Sequence, residues 1–161
     1  MSAPAELVER LANPVRLVAD DGHPEVPGWH CAGMPDHWFA AMRMKWANDW
    51  SGANLLEYRL WMAAVDMAIE GRWRVPSGGE RLRRMAGLAI AELADPERYR
   101  ATDAWQLKAA WVGVTKSRWF ETWQPRYEAL YRVLDDWSNA AWRFVKARQN
   151  GMVSADLQNR D

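Results

Sequence analysis

One glycine constrains this chain more than any other residue. Gly113 sits in Gln106-Leu-Lys-Ala-Ala-Trp-Val-Gly-Val-Thr-Lys-Ser-Arg-Trp-Phe120, between two apolar-periodic stretches, with Ala109 four residues before it and Val114-Thr115 after it. Glycine supplies the positive φ that a short turn between two crossed helices requires. Ala109 is small where those helices would approach most closely, and Val114 would plug the turn into the core. Thr115 can cap the following helix by accepting a backbone N–H on its hydroxyl. The spacing predicts a helix-turn-helix, with Lys116, Ser117 and Arg118 in the first turn of its second helix; an ordinary αα-hairpin closed by a glycine cap is the alternative.

The rest of the chain also reads as helices from its own apolar spacing. Trp38, Met42, Trp46 and Trp50 recur every fourth residue, which predicts a helix over 36–50. Leu56, Leu60, Trp61, Ala63 and Met67 predict another over 55–70, closed by Gly71. Ser77-Gly-Gly-Glu80 has the form of a capping box, and Leu82, Met85, Ala86, Leu88, Ala89 and Leu93 follow on one face until Asp95-Pro96. Residues 97–101 read as a basic loop, and Thr102 or Asp103 would cap a helix ending at Val112. The second helix of the corner is expected to run from Lys116 to Trp123, where Pro125 interrupts it or opens a new helix. A last long helix is expected over 126–150 from Tyr127, Leu130, Tyr131, Leu134, Trp137, Ala141, Phe144 and Val145, closed by Gly151. Near the start, Leu7, Val8 and Leu11 share a helical face limited by Pro14, and 20–28 is turn-rich. No segment reads as a strand. The expected class is all-α, a compact helical domain with a helix-turn-helix and a long C-terminal helix. Its expected division is an irregular segment 1–35, a Trp-rich acidic part 36–70, a helix-turn-helix part 71–150 and a polar tail 151–161.

Charge is segregated, although 21 Lys/Arg balance 21 Asp/Glu. Residues 1–70 carry five basic and ten acidic side chains; residues 71–126 carry eleven basic and six acidic. The basic block coincides with the corner and the helix before it, as a polyanion-binding face requires. The residues expected at double-stranded DNA are Lys116, Ser117, Arg118, Thr122 and Arg126, with Lys108, Thr115, Arg81 and Arg84 beside them. Arg118 is placed for base readout, since arginine reads guanine in the major groove; Lys116, Arg126 and Lys108 suit phosphate. The start at Ser77 to Arg84 suits a backbone phosphate or plain solvent. Trp119 and Trp123 are expected to face the core. Twelve tryptophans are too many for one small core, so some should be half-exposed and serve a protein partner or a homo-oligomer.

Other chemistries find little support. His23, His30, Cys31 and His37 cluster, but their spacing matches no zinc motif and adjacent His30-Cys31 is awkward for one ion; no metal is assigned. No cofactor fingerprint and no nucleophile-base arrangement is present, and the Asp135-Asp136 neighbours point different ways on a helix. No catalytic residue is assigned and no enzymatic activity is expected. The lone cysteine, the lack of a signal-like start and the lack of a long apolar run lead to an expectation of a cytoplasmic protein away from membranes.

Through Ala109, Gly113, Val114, Thr115, Ser117 and Trp119, the corner resembles those of small bacteriophage and prophage regulators. More loosely, residues 77–145 resemble Q-type transcription antiterminators in their arginine-led helix, Trp-Gln-Pro-Arg-Tyr127 and long aromatic helix. The resemblance implies a protein that binds a promoter-proximal DNA element, engages paused RNA polymerase and its sigma factor, and stays at the RNA exit channel. The acidic front half would then suit the polymerase. A small terminase-like packaging protein, or a helical interaction module that binds no DNA, are the alternatives from the residues themselves.

Overall fold

The computed structural model describes residues 15–16, 25–26, 31–75 and 79–158, with backbone alone for 15–16, 25–26 and 152–158. The expected helix around Leu7 and the cap at Ser77 lie outside the described residues. The chain is all-α, as expected. A two-residue antiparallel ladder is the departure: β1 (Val15–Arg16) pairs with β2 (Glu25–Val26), Val15 opposite Val26. Two residues are too few to show alternation, which is why the sequence reveals no strand there.

The helices are α1 (Asp36–Ala47), α2 (Ala53–Glu70), α3 (Glu80–Ala94), α4 (Pro96–Arg100), α5 (Ala104–Val112), α6 (Lys116–Arg118), a π-helical turn (Trp119–Trp123) and α7 (Gln124–Gln158). They fall into two units, Met1–Gly52 with Trp137–Asp161, and Ala53–Asp136. These do not follow the expected boundaries at 35, 70 and 150. In particular α2 belongs with the corner, because its buried Leu56, Leu60, Ala64 and Ala68 pack it on α3. Among the described residues no helix is long and apolar enough to cross a membrane.

In the first unit Cys31, Met34 and Met42 pack with Ala141 and Val145 of α7, under half-buried Trp38, Phe39, Trp46, Trp142 and Phe144. α1 stops three residues earlier than expected. Asn48 takes the left-handed conformation and caps it, a role asparagine tolerates well, so Trp50 leaves the stripe and stands 48% exposed. Arg43 is buried and paired with Asp49. Burial pushes the Cys31 thiol up to about 11, against the pull of Arg43 and Arg148.

The second unit holds the corner. α3 begins at Glu80, directly after Gly79. All six of its expected core residues are buried. The stretch after Pro96, expected as loop, is the short helix α4, with proline at its first turn, where the missing N–H costs nothing. α2 ends in a Schellman motif, with Trp73 N–H on the Ala68 carbonyl at 2.8 Å and Arg72 N–H on Ile69 at 3.2 Å. The left-handed residue in it is Arg72 (φ 50°), not Gly71. Gly71 answers a need for space instead, because a Cβ there would collide with the Trp73 indole.

α5 closes with the same motif, and here glycine takes the left-handed position. Gly113 has φ 81°. Its N–H and that of Val114 both reach the Ala109 carbonyl at 2.9 Å. Thr115 then caps the next helix, its Oγ1 accepting the Arg118 N–H at 3.3 Å. From there the helix does not stop at Trp123. It widens into the π-turn, in which Gln124 N–H donates to the Trp119 carbonyl, and continues as α7. Pro125 gives the physical reason. Proline has no N–H to donate, and in an α-helix its ring would press on the carbonyl of Glu121; a wider turn relieves both. α7 also passes through Gly151 to Gln158, beyond its expected end.

Replacing Gly113 by alanine forces a Cβ into the left-handed region and within 3.1 Å of Arg84 Nη1. We expect a loss of about 1–2 kcal/mol in urea denaturation. In the first unit, Cys31 should react with iodoacetamide at pH 8 about 100-fold more slowly than in the unfolded chain. Equal labelling rates in the folded and urea-unfolded protein would contradict the burial of this thiol.

Candidate nucleic-acid interface

Beside the corner lies an open cleft of about 710 Å³, lined by Arg74, Arg81, Gly113, Val114, Thr115, Arg118, Thr122, Trp123 and Arg126. Four arginines and no carboxylate line it. Each comes from a different element. Arg81 is on the first turn of α3, Arg118 on α6, Arg126 on α7, and Arg74 follows the Schellman turn of α2.

The guanidinium groups are positioned by rings and carbonyls. Arg81 Nη2 donates to the Gly113 carbonyl at 3.3 Å, and its Cζ lies 5.2 Å from the centroid of Trp123. Arg126 lies over two indoles, Trp73 and Trp123, each at 4.8 Å. Its Nη1 reaches the Arg74 carbonyl at 3.5 Å, tying the linker after α2 to α7. Partial burial pulls the Arg126 pKa down, but an arginine starts so high that it keeps its charge. A guanidinium held over a ring keeps further N–H groups that can meet a phosphate or a purine edge. Trp119 and Trp123 are 1% and 2% exposed, so they support this face from beneath, as expected. Tyr127 packs next to them at 5.7 Å from Trp119.

The cleft brings together five of the expected residues, Thr115, Arg118, Thr122, Arg126 and Arg81. Arg84 stands at its edge, against Gly113 and 3.6 Å from Glu80. Ser117 is exposed on the first turn. Lys116 is exposed too, but its Nζ lies over Trp105, 5.0 Å from the ring. Lys108 lies elsewhere: its Nζ pairs with Glu92, whose side chain is only 6% exposed, and sits 4.9 Å from the Tyr127 ring. Lys108 is thus engaged in a buried ion pair rather than offered to the surface. The buried Tyr127 hydroxyl lies next to it and close to Glu92. Burial and then the Glu92 charge push its pKa upward, so it remains protonated.

Arg74, Trp73 and Trp123 join the site without having been expected there. Arg72-Trp-Arg74 is visible as a basic, aromatic linker, but no local pattern shows that it folds back onto Arg126. In the other unit, Cys31 is buried and His37 meets Trp137 edge-on at 4.6 Å. His23 and His30 lie outside the described residues, among which no group of His, Cys, Asp and Glu is arranged to hold a metal ion.

No protein family, curated protein or solved structure matches the chain.

Lys108→Met would leave Glu92 charged and buried without its close partner. We expect urea denaturation to show a loss of about 3 kcal/mol, and unchanged stability would contradict the pairing.

Proposed function

We propose that this chain is a sequence-specific regulator that binds double-stranded DNA through the arginine cleft, as a binding protein and not an enzyme. The observation that carries the reading is the convergence of four arginines, without a carboxylate, on a glycine corner followed by a capped, exposed first turn. Phosphates reward such a convergence, because each neutralised phosphate releases counterions. In this reading Arg118, Ser117 and Lys116 enter the major groove, with Arg118 reading a base edge. Arg81, Arg126, Arg74 and Arg84 hold the backbone, and Thr115 and Thr122 offer hydroxyls to it. Lys108 contributes to the stability of the face rather than to contact.

Within that class we place the chain with phage and prophage regulators of the Q type, acting on RNA polymerase and its sigma factor. That step rests on the resemblance of residues 77–145 alone. A pull-down from bacterial lysate, with and without nuclease, tests it: polymerase retained after nuclease supports a direct contact, and its absence removes antitermination while leaving DNA binding untouched.

Arg118→Ala should weaken binding to the selected DNA site by about 1–3 kcal/mol and relax preference at one base. Arg81→Ala should weaken DNA binding and flatten its salt dependence, since one phosphate contact is lost. A site chosen by iterative selection and a fluorescence titration over a salt series give both numbers. Binding that is indifferent to salt, or to both substitutions, would defeat the proposal.

A further inference from the structure

We infer that the outer face of α2 pairs with the same face of a second copy of this chain, antiparallel and about a two-fold axis. Of the large apolar side chains left exposed among the described residues, four stand on α2: Leu55 (37%), Tyr58 (55%), Met62 (41%) and Ile69 (71%). Val65 between them is half-buried. Leu55, Met62 and Ile69 are seven residues apart, and so are Tyr58 and Val65, which follow the first set by three. This is the a and d pattern of a helix that packs along another helix.

The same helix already has a core face. Leu56, Leu60, Ala64 and Ala68 are spaced by four and buried. At about 100° per residue, that stripe and the 55-58-62-65-69 stripe lie on opposite sides of α2. An ordinary surface helix carries polar residues opposite its core stripe; α2 carries an apolar seam there. A seam of large side chains facing water is the mark of a contact surface.

Charge selects the occupant and the direction. Arg59 and Asp66 are both exposed, lie along one edge of the seam, and make no ion pair among the described residues. In an antiparallel pair the two copies bring the same edge together. With the axis near Ala63, Arg59 meets the partner's Asp66, and the converse pair forms by symmetry. Tyr58 then layers on the partner's Ile69 and Met62 on the partner's Val65. A parallel pair would set the Arg59–Asp66 edge against the opposite edge, which offers Asn54, Trp61 and Ala68 and no charge. A self-complementary patch of this kind is what an isologous two-fold interface needs. The seam is one 18-residue helix long, short of a standard interface, so a reversible monomer–dimer equilibrium is expected. Because α2 and the arginine cleft belong to one unit, such a dimer carries two clefts related by the axis, as a palindromic site demands.

Sedimentation equilibrium of the full, nuclease-treated chain tests this without nucleic acid, so its outcome does not depend on the DNA reading. We expect a monomer–dimer equilibrium for the wild type and a monomer for Ile69→Glu and Met62→Glu. Both positions are exposed, and circular dichroism checks that the variants remain folded. Arg59→Asp and Asp66→Arg should each weaken the dimer about tenfold, since two pairs are lost at once. The double variant should recover it, by restoring both pairs in reverse. A monomeric wild type at all concentrations overturns the inference, as it would if another protein were the occupant. So do a dimer unmoved by Ile69→Glu, and a double charge variant weaker than either single one.

Discussion

The turn at Gly113 depends on a carbonyl that serves twice. Ala109 offers its oxygen to both Gly113 and Val114, which fixes the end of α5 and aims the next helix. The Gly113 carbonyl in turn accepts from Arg81, so α3 holds the corner from outside. An arginine whose charge suits a phosphate is therefore also part of the scaffold that sets the direction of Lys116 to Arg118. The cleft and the corner are thus joined through the Gly113 carbonyl.

A second constraint lies at the far end of the same short helix. Pro125 follows Trp123 by two residues, and Trp119 and Trp123 must both reach the core. In an uninterrupted α-helix the proline ring would meet the Glu121 carbonyl. The π-turn resolves this by adding a residue to one turn, and α7 continues from it. Residues after 116 thus lie on a single helical path. Trp123 can face the core while Arg126, three residues later, faces the linker at Trp73 and Arg74. Segments of this kind recur at functional sites because they turn one side chain out of the ordinary register.

Much of this was legible in the sequence, and the reasons differ by residue. Gly113 and Thr115 have narrow local roles, a positive φ and a hydroxyl cap, so they could be placed from their neighbours alone. Trp119 and Trp123 follow from helical period. Lys108 misled because its charge suggests a surface, while its partner Glu92 lies sixteen residues away on another helix. Arg74 and Trp73 were missed for the same reason, since nothing near them in sequence announces Arg126. Gly71 was read as a conformational glycine when it is a spatial one, and the left-handed position fell to Arg72. Local chemistry is readable from a chain; the pairing of charges and rings across elements is not.

The same distinction decides how the chain divides. Composition suggests a cut at residue 70, between an acidic front and a basic back. Packing opposes it, because the buried stripe of α2 lies on α3, and α3 carries the arginines that grip the corner. Removing α2 would uncover the part of α3 that it packs on. The acidity of α2 is thus not the mark of a separable module. It is the solvent-side chemistry of a helix that supports the cleft on one face and leaves an apolar seam on the other.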